Sequence, residues 1–170
     1  MTKLRPPPPS VLDKYRGQDV RPLYTGRVRV TGGETGHGRA SGIACSDDGA
    51  LAVSLRMPPE LGGPGGGTNP EQLIAAGYAA CFHGAMVLLA TRAGLTLVDA
   101  SVEVAVTFAR DPVDGFYLLS AEVHADLPGV EPIVAAELVR NIERICPYAK
   151  MFRDGISHVV STSTSTDTQP

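Results

Sequence analysis

The sequence lacks any run rich in lysine or arginine, and its formal net charge is -3 at pH 7. A protein that binds nucleic acid normally carries a basic surplus to neutralise phosphates. We therefore expect no nucleic-acid partner. Of the 170 residues, 43% are hydrophobic and 19% are charged, a composition that predicts one globular domain with its own core.

The sequence also lacks a signal for export and a convincing membrane span. Lys3 and Arg5 are followed by four prolines, where a secretory signal would need an apolar region. The most apolar stretch, Leu73 to Leu89, is rich in alanine and glycine and contains His83. We interpret it as a buried core helix, and we expect a cytoplasmic protein with no membrane partner.

Cysteine is scarce, with three residues in the chain. Cys45, Cys81 and Cys146 are each isolated, whereas a zinc site would need closely spaced cysteine and histidine. Without an export signal, three cysteines indicate thiol chemistry or inert burial rather than a framework of structural disulfides. We expect no metal and no cofactor.

The two ends of the chain differ in composition from the middle. Residues 1–20 are rich in proline, and residues 162–170 are polar and of low complexity. We predict that both are disordered tails. Residues 21–161 contain neither a repeat nor a linker, so they are predicted to form a single domain.

The first half of this domain predicts two strands and a long helix. Alternating residues predict strands at Val20–Thr31 and Ala50–Met57. After a loop of glycine and proline, Asn69 is a candidate N-cap for a helix over Glu71–Ala93 that ends before Gly94. Because apolar residues cover most of its circumference, this helix should be enclosed nearly all round.

The second half predicts a hairpin, a helix and a final strand. The hairpin is expected at Leu97–Arg110 and Gly115–Leu127, the helix from Pro132 to Ile145, and the strand at Ile156–Ser161. The predicted class is α+β, in the order ββαββαβ. One small sheet does not cover an apolar helix on all sides, so we expect a homodimer with pockets at the subunit boundary.

Two cysteines lie at predicted helical positions. Free cysteine is among the most frequently buried residues, so packing alone would explain Cys81 or Cys146 taken singly. Together, in a chain with no other evident nucleophile system, they indicate redox chemistry. Only the fold would bring them together.

An attacking cysteine must be a thiolate, which requires a positive neighbour or strong hydrogen-bond donors. Arginine fits because its guanidinium stays charged and can bind a carboxylate as well. Arg27, Arg29 and Arg39 are the upstream candidates. Glu71 would serve by orienting the arginine, since a carboxylate facing the sulfur would raise the cysteine pKa.

Two segments resemble the organic hydroperoxide resistance (Ohr) branch of the OsmC/Ohr family. They are GGPGGGTNPEQLIAAGYAACF, from Gly62 to Phe82, and ICPYAK, from Ile145 to Lys150. The resemblance implies an intertwined α+β homodimer, with two central helices between antiparallel sheets and active sites at the interface. The implied activity is reduction of organic hydroperoxides, alkyl or fatty-acid, by a thiol peroxidase. The implied reductant is a lipoylated protein or dihydrolipoamide.

The resemblance also implies roles for individual residues. Cys81 matches the peroxidatic cysteine, Cys146 the resolving cysteine, and Glu71 the carboxylate that holds a catalytic arginine. We assign that arginine to Arg39, although Ohr sequences usually place it directly after the glycine turn. Arg29 and Arg27 stay open as alternatives.

Cys45 has no counterpart in the two-cysteine scheme of this family, and we interpret it as a passive small residue. Two other functions stay open at this point. One is a redox sensor that uses the same cysteines without turnover. The other is a module that binds an apolar small ligand and has inert cysteines.

Overall fold

The computed structural model describes residues 14–33 and 40–163. Arg39 and most of both predicted tails lie outside these residues. Residues 14–27 contain no helix or strand, and neither do residues 155–163. The boundaries 21–161 of the single domain stay a prediction.

A small antiparallel sheet opens the described fold. Its strands are β1 (Val28–Thr31), β2 (Ile43–Ser46) and β3 (Ala52–Ser54), with β2 in the centre. The two strands predicted in this region are thus shorter than expected, and β2 was not predicted. Residues 20–27 have no neighbouring strand in the described parts of the chain, which explains why the first strand starts late.

A short 3-10 turn, Pro59–Leu61, leads to the helix α1 (Pro70–Arg92). The Asn69 side chain accepts a hydrogen bond from the Gln72 backbone N–H at 2.9 Å and caps the helix. Pro70 occupies the first helical position, where no backbone donor is needed. The predicted N-cap is confirmed, and the predicted helix is confirmed to within one residue at each end.

The predicted hairpin follows as β4 (Ser101–Arg110) and β5 (Tyr117–Asp126). The two strands pair along their whole length, with Val104 opposite Val123 and Phe108 opposite Leu119. The side chains on this face pack toward α1, while the other face carries mostly polar residues. The hairpin is confirmed, with strands a few residues shorter than expected.

The chain ends its regular structure with two helices, α2 (Pro132–Ile145) and α3 (Pro147–Asp154). The bounds of α2 are as predicted. The final strand predicted at Ile156–Ser161 is wrong, because this stretch has no regular secondary structure and pairs with no described strand. The order through the described residues is therefore βββαββαα, and the α+β class is confirmed.

The core lies between one face of α1, the hairpin and the last two helices. On α1 the buried residues recur at every fourth position, which places them on one face. They pack against residues of α2 and α3 in one cluster: Tyr78, Phe82, Met86, Ala90, Leu138, Ile142, Cys146 and Ala149. By length and a mean hydropathy of 1.8, α1 would also suit a membrane span. It packs against three described elements, β4, α2 and α3, and buries one face among them.

Candidate active site

The two predicted redox cysteines meet in the core. The sulfur of Cys146 lies 3.4 Å from the sulfur of Cys81, although the residues are 65 positions apart in the chain. Cys146 is 1% exposed, whereas Cys81 is only partly buried. The Cys81 thiol is therefore partly open to solvent, and the Cys146 thiol lies behind it in the core.

Each sulfur is positioned by a helix. Cys81 lies on α1 at the edge of its buried face, next to Phe82 in sequence and one helical turn after Gly77. Cys146 is the single residue between α2 and α3, and its backbone N–H still donates to the Ile142 carbonyl at 2.8 Å. Pro147 then starts α3, so the chain turns at the cysteine itself.

The pKa of the Cys81 thiol is raised to about 11, chiefly by burial. The hydrogen bond with the Cys146 thiol and the charge of that sulfur add to the rise, whereas a backbone hydrogen bond from Tyr148 lowers the pKa. The Tyr148 backbone N–H, at the start of α3, thus favours the thiolate, but burial outweighs it. A reactive Cys81 needs an additional positive charge beside its sulfur.

Aromatic rings hold the first turn of α3 against α1. Tyr148 stacks on Tyr78 with ring centroids 6.0 Å apart, and Phe152 stacks on the same ring at 5.0 Å. Gly77 lets Tyr148 approach, because a Cβ atom there would lie 2.9 Å from the tyrosine hydroxyl. The glycine and the rings together fix the turn that bears Cys146.

Glu71 lies in the first turn of α1, away from the sulfurs. Ten helical residues separate it from Cys81, about 15 Å along the axis. It borders two cavities of about 470 and 260 Å³ between α1 and the hairpin, both of which Phe108 also lines. Within one chain the structure does not bring Glu71 and Cys81 together, so its role stays a prediction.

The structure does not test the choice of arginine. Arg39 lies outside the described residues. Arg27 and Arg29 line a cavity of about 670 Å³ on the three-stranded sheet, which includes Cys45 but neither redox cysteine. Arg29 lies directly across from Cys45 in the β1–β2 pair, and Cys45 is exposed.

Sequence reasoning did not single out Gly77 or Tyr148. The available signals were the tyrosine two positions after Cys146 and a glycine one helical turn before Cys81. Among the described residues, no group of three or more histidine, cysteine, aspartate or glutamate residues is placed to hold a metal ion.

Comparison with known proteins identifies the family to which this chain belongs. The sequence model of the family described as OsmC-like protein matches residues 63–161, which contain Glu71 and both redox cysteines. This chain belongs to the OsmC/Ohr family. Its relatives place it in the organic hydroperoxide resistance (Ohr) branch, as the two motifs indicated.

One such relative is the organic hydroperoxide resistance protein of Xanthomonas axonopodis pv. citri. It is 40% identical over 136 residues, which cover 79% of this chain and 90% of the relative. The other two comparisons are with solved structures.

A crystal structure of an organic hydroperoxide resistance protein from Legionella pneumophila is 38% identical, with a TM-score of 0.69. The alignment covers 79% of this chain and 93% of that one. The structure of OhrB from Bacillus subtilis is 35% identical with a TM-score of 0.66, covering 78% and 93% of the two chains. The Ohr-like α+β fold is thus confirmed, and organic hydroperoxide resistance is the function for which these relatives are named.

Proposed function

We propose that this protein is a thiol peroxidase that reduces organic hydroperoxides to alcohols. The observation that carries the proposal is the 3.4 Å approach of the partly buried Cys81 sulfur to the buried Cys146 sulfur. A small movement closes this gap to the bonding distance of about 2.05 Å. The names of the Ohr relatives support an organic hydroperoxide as the oxidant.

The reaction proceeds in two steps. The Cys81 thiolate attacks the terminal oxygen of the hydroperoxide, an S–O bond forms, and the O–O bond breaks. The alkoxide takes up a proton and leaves as the alcohol, while Cys81 becomes a sulfenic acid. Cys146 then attacks the Cys81 sulfur, water leaves, and a disulfide joins the two residues.

An arginine supplies the positive charge that the Cys81 thiolate needs. We propose Arg39 for this role, with Glu71 binding and orienting its guanidinium. The same guanidinium would stabilise the negative charge that develops on the departing oxygen. The pKa of about 11 that burial gives Cys81 supports the need for this charge.

The pair of Glu71 and arginine that serves Cys81 comes, in this proposal, from a second copy of the chain. Glu71 of the same chain is about 15 Å away along α1. Two α1 helices packed side by side in opposite directions would place Glu71 of each copy near Cys81 of the other. The exposed side of α1 carries the small residues Ala76, Ala80 and Gly84, which would let a second helix pack closely against it.

The disulfide returns to two thiols by exchange with an external dithiol. Because Cys81 is the more exposed of the two, the reductant would attack its sulfur. We propose dihydrolipoamide or a lipoylated protein as the reductant, and the cytoplasm as the location.

Turnover tests the proposal directly. Purified protein mixed with cumene hydroperoxide and dihydrolipoamide should consume many equivalents of peroxide per chain. Cys81→Ser should abolish turnover, whereas Cys45→Ser, the matched control, should retain it. Equal turnover by the Cys81→Ser variant would sink the assignment, and a single equivalent consumed by the unchanged protein would indicate a sensor.

The order of events is tested in Cys146→Ser. This variant should still be oxidised once at Cys81 but should form no disulfide. Mass spectrometry after excess peroxide should therefore find sulfinic and sulfonic acid at Cys81. An unoxidised Cys81 in this variant would contradict the order.

A further inference from the structure

A separate groove lies between the last turn of α1 and one side of α2. Its cavity volume is about 720 Å³, larger than the other cavities described above, and within the range of small-molecule sites. Its apolar lining comes from Leu89, Leu95, Val134, Leu138 and Ile145. Neither redox cysteine lines the groove, although Ile145 directly precedes Cys146.

The rim of this groove is cationic. Lys14, Arg92 and Arg144 line it, against the single carboxylate of Glu137. Each arginine lies in the last turn of its helix, where the dipole favours a cation. That placement explains each arginine singly, but it does not explain why three cations surround one apolar surface.

The three cations have no ion pair within the described part of the chain. Their charge is thus available to a ligand. An occupant that matches both features has an apolar body and an anionic head, so that burial of the body and pairing of the head act together.

The length of the groove limits which ligand can fill it. From Val134 to Ile145 it follows α2 for about 16 Å, the length of a fatty-acyl chain of roughly a dozen carbons. We propose that the groove is a binding site for the carboxylate and acyl chain of a fatty acid. An arginine at one end of the groove, Arg92 or Arg144, binds the carboxylate, and the leucine, isoleucine and valine side chains along the groove cover the acyl chain. This site goes beyond the peroxidase reaction and does not depend on it.

Calorimetry with dodecanoate below its micelle concentration tests this site in the full-length protein, without any hydroperoxide. We expect one dodecanoate per chain. Dodecyltrimethylammonium, which has the same chain and the opposite charge, should bind at least about tenfold more weakly.

The double variant Arg92→Gln plus Arg144→Gln should weaken dodecanoate binding by about tenfold or more. The matched control is Arg140→Gln, an exposed arginine on α2 outside the groove, which should bind as the unchanged protein does. If circular dichroism shows that the double variant is unfolded, Val134→Asp replaces it. Its carboxylate would repel the ligand from the apolar floor.

Three results would overturn the proposal. They are no binding of dodecanoate, equal affinity for the two amphiphiles, and undiminished binding by the groove variants. Binding to vesicles of anionic phospholipid without binding to monomeric dodecanoate would likewise contradict it and indicate a membrane surface. Turnover of cumene hydroperoxide is measured separately, so either conclusion can fail while the other stands.

Discussion

The two parts of this molecule differ in how they bury their apolar side chains. The hairpin, α1, α2 and α3 pack on one another, and Met86 and Ile142 are completely buried among them. The strands of the three-stranded sheet contact chiefly each other, and Val28 and Ile43 are 55% and 52% exposed. The hairpin, α1, α2 and α3, called the helical body below, therefore bury side chains against one another, whereas the sheet leaves large apolar side chains that another surface could cover.

The largest expected effect is a difference in the free energy of unfolding between two alanine variants, with one isoleucine replaced in each part. Ile142→Ala in the body should lower the free energy of unfolding by about 2–5 kcal/mol, because it leaves a cavity at a completely buried site. Ile43→Ala in the sheet should cost less than about 1 kcal/mol if that side chain stays exposed. Urea denaturation followed by circular dichroism measures both. An equal loss in the two variants would show that a second copy of the chain covers the sheet.

The next prediction tests whether Arg39, which lies between β1 and β2 in the sequence, supplies the positive charge beside Cys81 in the helical body. Arg39→Ala should raise the pKa of Cys81 toward the value of about 11 set by burial. A higher pKa leaves less thiolate at neutral pH, so alkylation of Cys81 at pH 7 should slow by about tenfold or more.

The measurement is the rate of iodoacetamide labelling against pH, read by mass spectrometry of the Cys81 peptide. The unchanged protein should reach half its maximal rate below about pH 8.5, the usual thiol value. Arg29→Ala and Arg27→Ala are the controls. An unshifted profile in Arg39→Ala together with a shifted profile in one of these would reassign the catalytic arginine.

A smaller effect concerns two glycines of α1. Gly77→Ala should lower stability by about 1–3 kcal/mol, because the new methyl group presses on Tyr148. Gly84→Ala meets no atom of its own chain within 4 Å. Because the proposed dimer packs a second α1 on this side, the added methyl group should lower stability by about 1–3 kcal/mol, which outweighs a gain of about 0.5–1 kcal/mol in helix propensity. Thermal unfolding at matched concentration checks both. A gain of stability in Gly84→Ala would contradict the packing of another chain on this side of α1.

The smallest effect lies where the sheet joins the body. Asn69→Ala should cost about 1 kcal/mol, because the first turn of α1 loses its cap. Asn69→Asp retains the oxygen that accepts from Gln72 and should cost little. Amide exchange at Gln72 should increase in the alanine variant, and unchanged exchange there would show that the cap contributes nothing to the helix.

Long, strongly patterned segments could be predicted from the sequence. The helix α1 has a proline, a capping asparagine and a glycine at its ends, and the hairpin alternates over ten residues in each strand. The pairing of Cys81 with Cys146 could also be predicted, because the two motifs together resemble one family. In these segments the local sequence signals and the packing of the whole fold favour the same structure.

Shorter elements could not be predicted. The four residues of β2 follow a stretch rich in glycine, and four residues show too little alternation to distinguish a strand from a loop. The proline after Cys146 reads as the end of a helix, yet it also starts α3. The arginine partner could not be fixed, since no arginine directly follows Gly32 and Gly33 in the sequence and Arg39 lies outside the described residues.

The position of Cys146 between two helices gives the oxidation step a mechanical consequence. With a backbone ψ of 117°, this residue ends α2 and begins α3, so a backbone movement at Cys146 would also move the start of α3. We expect such a movement, on formation of the proposed disulfide, to reach α1 as well, because the first turn of α3 touches α1 through Tyr148. Oxidation of a buried sulfur would in this way alter the surface that α3 presents to a reductant.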